Sequence, residues 1–146
     1  MADRKMETGL FHARQRATRV VSADTTLGKD DLGKLILMGA NGVDITLPAC
    51  TGLPGAQLEV ILTADYSTAV CTLVQAAATE DFVGALYGIA ESENAGTDGD
   101  AGASANTKIT FSSASLAGDR VRLVSDGTKW FVEAFARNHA GITFDN

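Results

Sequence analysis

The sequence predicts an all-β domain, an antiparallel β-sandwich or barrel of jelly-roll-like type, with an extended N-terminal arm. About eight short segments have the length and apolar pattern of strands, and turn residues separate them at intervals of roughly 8 to 14 residues. No long helical pattern alternates with these segments, so a parallel sheet covered by helices is disfavoured. The 146 residues, of which 45% are hydrophobic, suffice for one domain with a single core.

The first half of the chain contains short strand patterns bounded by turn residues. Residues 34–38 (KLILM) form an apolar run of buried-strand length, and residues 43–47 (VDITL) alternate with period two. Asn41-Gly42 lies between them and tolerates positive φ, so we expect this pair to close a β-hairpin. Further strands are predicted at 19–22, 57–62 and 69–75.

The second half contains the strongest hairpin signal of the sequence. Asp126-Gly127 separates two β-rich segments, 120–124 and 129–135, and predicts a hairpin between them. Another strand is predicted at 107–111. Residues 91–105 are small and acidic and have no apolar period, which predicts a long exposed acidic loop that either contacts an assembly or faces solvent.

The aromatic residues argue against a sugar-binding platform, because such a platform needs exposed rings. The single tryptophan, Trp130, lies in the predicted hairpin beside Phe131 and Phe135, where core packing is the favoured role. Tyr66 and Tyr87 lie near loops and remain candidate contacts.

Charge is divided unevenly along the chain. Residues 1–20 hold five basic residues against two acidic ones, a formal charge of +3, which leaves −9 for the rest of a chain of net charge −6. We therefore divide the chain into a basic N-terminal arm (1–18), a β-sandwich or barrel domain (19–136) and a C-terminal tail (137–146). The acidic body lacks the basic face that nucleic acids require, whereas the arm suits docking onto an acidic surface. The alternative interpretation of the arm is a frayed, solubilising terminus.

The sequence has no motif for catalysis, metal binding or cofactor binding, which predicts a protein that is not an enzyme. No zinc-ligand spacing, nucleophile elbow or phosphate-binding loop occurs. The acidic string 97–102 lacks the distal glutamate of a calcium loop, so a solvated loop is preferred over a cation site. Asp30-Asp31 is interpreted as part of a turn. Glu80, Asp81, Glu91 and Glu93 could supply a glycosidase pair, but the sequence does not place them opposite one another.

Cysteine content and hydropathy restrict the cellular setting. Cys50 and Cys71 are predicted to be small buried hydrophobic residues rather than a disulfide. No run of about 18 apolar residues predicts a membrane span. The first 15 residues lack the apolar centre of a secretion signal, so we expect a protein made in the cytoplasm that does not contact membranes.

Two strings of the sequence resemble a pattern found in virion proteins of tailed phages. Residues 43–49 (VDITLPA) carry a "TLP" strand end, and residues 118–132 (GDRVRLVSDGTKWFV) carry an "L-V-S-D-G-T-x-W" hairpin. From near Val20 to Phe135, apart from the acidic insert at 91–105, the chain is similar to capsid decoration (cement) proteins and to β-rich domains of head or tail fibres. The resemblance to decoration proteins is preferred, because 146 residues leave no room for the elongated shaft of a fibre.

This resemblance implies a bacteriophage structural protein that binds the outer surface of an icosahedral head as a homotrimer and stabilises the capsid. Its partner would be the major capsid protein, its location would be the virion, and it would need no cofactor. The candidate capsid-binding residues are Arg4, Lys5, Leu10, Phe11, Arg14, Arg16 and Arg19, and the candidates for self-association or shell contact are Ile142 and Phe144. The alternative function is a receptor- or glycan-binding module of a phage head or tail fibre.

Overall fold

The computed structural model describes residues 16–65, 69–77, 79–88, 100–101 and 106–145, and for residues 100–101 it describes the backbone alone. The prediction of an all-β fold is confirmed, because strands account for nearly all regular structure within these ranges and form two sheets packed against each other. The single short helical element in the described ranges is a 3-10 turn at Lys29–Asp31.

The two sheets, A and B, contain seven and five strands, numbered here in chain order. Sheet A consists, in spatial order, of β1 (Thr18–Val21), β3 (Leu35–Met38), β5 (Gln57–Leu62), β10 (Arg120–Ser125), β11 (Trp130–Ala136), β7 (Phe82–Gly88) and β8 (Asp100–Ala101). Sheet B consists of β12 (Ile142–Asp145), β9 (Lys108–Phe111), β6 (Cys71–Val74), β4 (Asp44–Thr46) and β2 (Thr25–Thr26).

The first half of the chain passes from one sheet to the other after every strand. Strands β1, β3 and β5 therefore lie side by side in sheet A, and β2, β4 and β6 lie side by side in sheet B, with all neighbouring pairs parallel. Strands β7 and β11 are also parallel. The sheets are thus mixed, and the prediction of an antiparallel, jelly-roll-like topology is wrong. The paired residues of these parallel strands are unequally spaced in the chain: 17 residues separate Thr18 from Leu35, and 24 separate Leu35 from Glu59. The parallel strands therefore do not correspond to a repeat of fixed length in the sequence.

The predicted hairpin at Asn41-Gly42 is also wrong, although the local turn forms. Gly42 has a φ of 68°, as this turn signal requires. The turn, however, leads from β3 in sheet A to β4 in sheet B. Ile36 of β3 and Ile45 of β4 are both fully buried, and they contribute to the core from opposite sheets.

The predicted hairpin at Asp126-Gly127 is confirmed. Ser125 pairs with Trp130 across antiparallel strands β10 and β11, and Gly127 has a φ of 95°. Asp126 Oδ1 accepts hydrogen bonds from the backbone N–H groups of Lys129 (2.8 Å) and Thr128 (2.7 Å). These bonds, together with one from the Thr128 hydroxyl, lower the pKa of the Asp126 carboxyl below its ordinary value.

The core lies between the sheets, and its largest fully buried side chains are those of Trp130, Phe82 and Phe111. The burial predicted for Trp130 is therefore confirmed. Four residues of the predicted C-terminal tail form β12, which pairs with β9 at the edge of sheet B, so this segment is part of the domain. Within the predicted acidic loop at 91–105, the described backbone at 100–101 pairs with β7 as β8, and the rest of the loop lies outside the described residues.

Candidate functional site

The outer face of sheet A carries four of the five large hydrophobic side chains that are exposed in the described part of the chain. They are Val20 (63% exposed), Tyr87 (46%), Phe131 (46%) and Phe135 (38%). Directly paired residues project from the same side of a sheet. One row across this face accordingly contains Val20, Leu37, Ile61, Arg120, Phe135 and Tyr87. Such a concentration of exposed apolar residues on one face is typical of an interaction surface.

The exposure of the two phenylalanines follows from the alternation of β11. Trp130, at the start of this strand, points into the core, so the period of two turns Phe131 and Phe135 outward. Phe131 and Phe135 thus lie near Trp130 in the chain but on the opposite face of the strand. The structure therefore has exposed aromatic rings, contrary to the expectation from the sequence. Tyr87, a candidate contact in the sequence, lies on the same face. Tyr66 lies outside the described residues.

An aromatic cluster occupies one end of this face. The rings of Tyr87 and Phe135 stack with centroids 5.3 Å apart and planes inclined by 21°. The guanidinium carbon of Arg120 lies 4.8 Å from the centroid of the Phe135 ring, a cation–π contact. These three residues and Arg137 line a largely apolar groove of about 290 Å³, which we call the Tyr87 groove.

A second and larger groove surrounds Phe131 on the same face. The Phe131 groove has a volume of about 530 Å³. Its lining includes Arg16, Glu59, Val83, Arg122, Phe131 and Glu133.

Charges alternate across the Phe131 groove. Glu59, Arg122 and Glu133 occupy one row of neighbouring strands. Arg122 Nη1 lies 3.8 Å from Glu133 Oε2, and the Arg16 guanidinium forms an ion pair with Glu59. The lining charges of this groove therefore sum to zero.

The outer face of sheet B has a different chemistry. Asp44, Thr72, Thr110 and Thr143 lie in one row across four strands. The hydroxyl of Thr72 donates to the Asp44 carboxylate, and the hydroxyls of Thr110 and Thr143 donate to that of Asp145. This row of sheet B is polar, in contrast to the exposed aromatic residues on the face of sheet A.

The structure places only part of the predicted capsid-binding arm. Arg4, Lys5, Leu10, Phe11 and Arg14 lie outside the described residues. The two arginines nearest the domain bind to it.

Arg16 pairs with Glu59 and donates to the carbonyl oxygens of Gly33 (3.2 Å) and Lys34 (3.1 Å). The guanidinium of Arg19 pairs with the buried Asp31 carboxylate. Their guanidinium groups are thus engaged within the chain, and the docking of Arg16 and Arg19 on a shell stays a prediction.

The two C-terminal candidates pack within their own chain. Ile142 is fully buried in the core, and Phe144 packs against the core while remaining partly buried. The burial of Ile142 leaves it no surface with which to cover a neighbouring subunit or the shell, whereas such a contact by Phe144 stays a prediction. The exposed apolar residues that sequence reasoning missed are Val20, Phe131 and Phe135, and the alternation of β11 was the available signal for the last two.

Asp31 and Glu80, two of the acidic residues singled out in the sequence, have partners within the chain. Asp31 accepts hydrogen bonds from the backbone N–H of Gly28 (3.0 Å) and from Lys34 Nζ (3.1 Å), besides its ion pair with Arg19. Burial opposes ionisation of Asp31, but the Gly28 hydrogen bond and the charges of Lys34 and Arg19 outweigh it, so its pKa lies below the ordinary value.

Glu80 is buried and fastens the turn at residues 50–51. Its Oε1 accepts from the backbone N–H groups of Cys50 (2.9 Å) and Thr51 (3.2 Å) and from the Thr51 hydroxyl (3.0 Å). Asp81 lies at the surface, where its carboxylate is 3.9 Å from Lys129 Nζ. Glu91 and Glu93 lie outside the described residues.

Both cysteines are buried free thiols. Burial and the nearby Glu80 charge raise the pKa of the Cys50 thiol.

Within the described ranges, no group of three His, Cys, Asp or Glu side chains is placed to hold a metal ion. The acidic string 97–102 falls largely outside these ranges. No helix in the described part of the chain is long and apolar enough to span a membrane.

Comparison of the chain with protein-family models, with curated proteins and with solved structures finds no match in any of the three.

Proposed function

We propose that this chain is a structural virion protein that decorates the outer surface of an icosahedral phage head as a homotrimer and stabilises the capsid. The observation that carries the proposal is the difference between the two outer faces of the sandwich. The face of sheet A has exposed aromatic residues and paired charges, as protein–protein interfaces do. The face of sheet B has threonine hydroxyls bonded to carboxylates, which suits the exposed side of a particle.

In this proposal the basic arm binds the major capsid protein. Arg4, Lys5 and Arg14 supply the positive charge, and Leu10 and Phe11 supply apolar anchors. Arg16 and Arg19 hold the base of the arm on the domain through Glu59 and Asp31. A ligand that binds only the assembled shell stabilises it by mass action, and three linked arms raise the avidity further.

Co-sedimentation with empty heads assembled from the major capsid protein of the same phage tests this proposal. We expect the full chain to pellet with the heads and to raise the temperature at which they open. Deleting residues 2–15, which spares the ion pairs of Arg16 and Arg19, should abolish binding. A matched variant, Lys29→Ser, removes one positive charge from the exposed surface of the domain, which equals the net charge that the deletion removes, and should bind as the parent chain does. Failure of the full chain to bind heads would contradict the proposal.

The Tyr87 groove favours a second candidate, a glycan-binding module. Aromatic rings stack on sugar faces, and the arginines at positions 120 and 137 can bind the carboxylate of an acidic sugar. Calorimetric titration with an oligosaccharide of uronic acids tests this candidate. Binding that Phe135→Ala abolishes would support it, and the absence of binding to the parent chain would contradict it.

A further inference from the structure

We infer that the outer face of sheet A around the Phe131 groove is the surface through which copies of this chain associate. The inference deepens the proposed function and rests on it for the expectation that the chain acts as an oligomer. It differs from the sequence-based prediction, which assigned self-association to Ile142 and Phe144.

The apolar content of the face is the first argument. Phe131 protrudes near the middle of sheet A with 46% of its surface exposed, and Val83 and Val124 flank it on the neighbouring strands. Single exposed hydrophobic residues are ordinary on protein surfaces, but here four of the five large ones share one face. Interfaces between subunits are enriched in aromatic residues and arginine at their centre, which matches the Phe131 groove.

The charge of the groove is the second argument, and it selects the partner. A chain of net charge −6 repels its own copies over most of its surface. The Phe131 groove is an exception, because Arg16 and Arg122 balance Glu59 and Glu133. The negative, positive and negative charges of Glu59, Arg122 and Glu133 follow one another across the strands. A second copy displaced by one strand, about 4.8 Å, sets Arg122 of each copy against a glutamate of the other.

Other occupants fit the groove less well. Residues 1–15 carry three basic and two acidic residues, so the arm has a net charge of only +1 and gains little attraction from a neutral groove. A uniformly acidic or basic macromolecule would meet as many like charges as opposite ones, because the lining charges sum to zero. A second copy of the chain supplies both the apolar surface and the alternating charges.

The mass of the full chain in solution, measured by light scattering and sedimentation over a range of concentrations, tests the inference. We expect a multiple of the 15.2 kDa chain mass. Phe131→Glu and Arg122→Glu should each raise the dissociation constant at least about tenfold. Both side chains are exposed, so the variants should keep the circular dichroism spectrum of the parent chain. Thr143→Glu adds the same charge to the exposed face of sheet B and should leave the mass unchanged.

Three results would overturn the inference. One is a parent chain that stays at 15.2 kDa at every concentration. Another is an oligomer that Thr143→Glu dissociates and Phe131→Glu does not. The third is a monomer that becomes an oligomer when residues 2–15 are deleted, which would make the arm the occupant of the groove.

Head binding is measured in a separate experiment, so the two proposals can fail independently. An oligomer that does not bind heads would contradict the proposed function alone. A monomer that binds heads would contradict this inference.

Discussion

A Cβ atom on Gly84 would lie only 1.9 Å from the carbonyl oxygen of Val132. The two residues are partners in the parallel pair β7–β11, beside the Phe131 groove. No side chain fits at that distance, so the approach of the two strand backbones depends on glycine at position 84.

Gly84→Ala should therefore destabilise the fold by about 1–3 kcal/mol or more, because the strands must move apart. The free energy of unfolding in urea measures this effect. Gly28→Ala is the matched control, since nothing lies within 4 Å of its Cβ position and its φ of −104° suits alanine. An unchanged stability of the Gly84 variant would contradict the close approach.

Asp31 should make stability depend on pH in the acidic range. Its pKa is lower in the folded chain than the ordinary value of 3.8, so the ionised carboxylate stabilises the fold above that pH. This contribution is lost as the pH falls through the folded pKa. Asp31→Asn should cost about 1–3 kcal/mol at neutral pH and should flatten the acid limb of the stability curve.

The exposed neighbour Asp30 supplies the control for this measurement. Asp30→Asn should shift the unfolding free energy by less than about 0.5 kcal/mol. Equal acid limbs for the parent chain and Asp31→Asn would show that Asp31 contributes nothing.

Asp119 should be a determinant of stability because its carboxylate is fully buried and joins two loops. Its Oδ2 accepts from the backbone N–H of Leu116 (2.9 Å), and its Oδ1 accepts from that of Arg137 (2.7 Å). Asp119→Asn places an amide donor against one of these N–H groups, so we expect a loss of about 1–3 kcal/mol in thermal or urea unfolding.

Asp65→Asn is the matched change at the surface. Asp65 Oδ1 accepts a hydrogen bond from the backbone N–H of Ala117 (2.7 Å), and asparagine keeps that oxygen. Its effect should stay below about 0.5 kcal/mol. A loss at Asp65 as large as that at Asp119 would argue against a special role for the buried carboxylate.

Cys50 should react slowly with thiol reagents while the protein is folded. Its side chain is buried, and burial together with the Glu80 charge raises its pKa and keeps the thiol protonated. Labelling by Ellman's reagent in a Cys71→Ser background should be at least about a hundredfold slower in buffer than in denaturant. Comparable rates in the two conditions would contradict the buried, protonated state.

The sequence predicted those parts of the fold that depend on local patterns. Alternation of apolar residues indicated strands, and Asp126-Gly127 indicated the β10–β11 hairpin with Trp130 in the core. Asn41-Gly42 carries the same local signal, yet it joins two different sheets. A turn signal specifies a change of chain direction but not the strand that will supply the hydrogen bonds.

The candidate site was predictable to a lesser extent. The outward position of Phe131 and Phe135 follows from the phase that Trp130 sets in β11. Nothing local indicates that Arg16 pairs with Glu59, which lies 43 residues away, or that Arg19 pairs with Asp31. Their charges predicted an arm free to dock, but the folded chain brings opposite charges within reach.

By itself, the sequence determined the β class, the buried tryptophan and the net positive charge of residues 1–20, because hydrophobic periodicity and charge are properties of short segments. Only the tertiary structure decided which strands run parallel and which outer face is apolar. Those properties arise when segments far apart in the chain, such as β1, β5 and β11, enter one sheet and present their outward residues on a common surface.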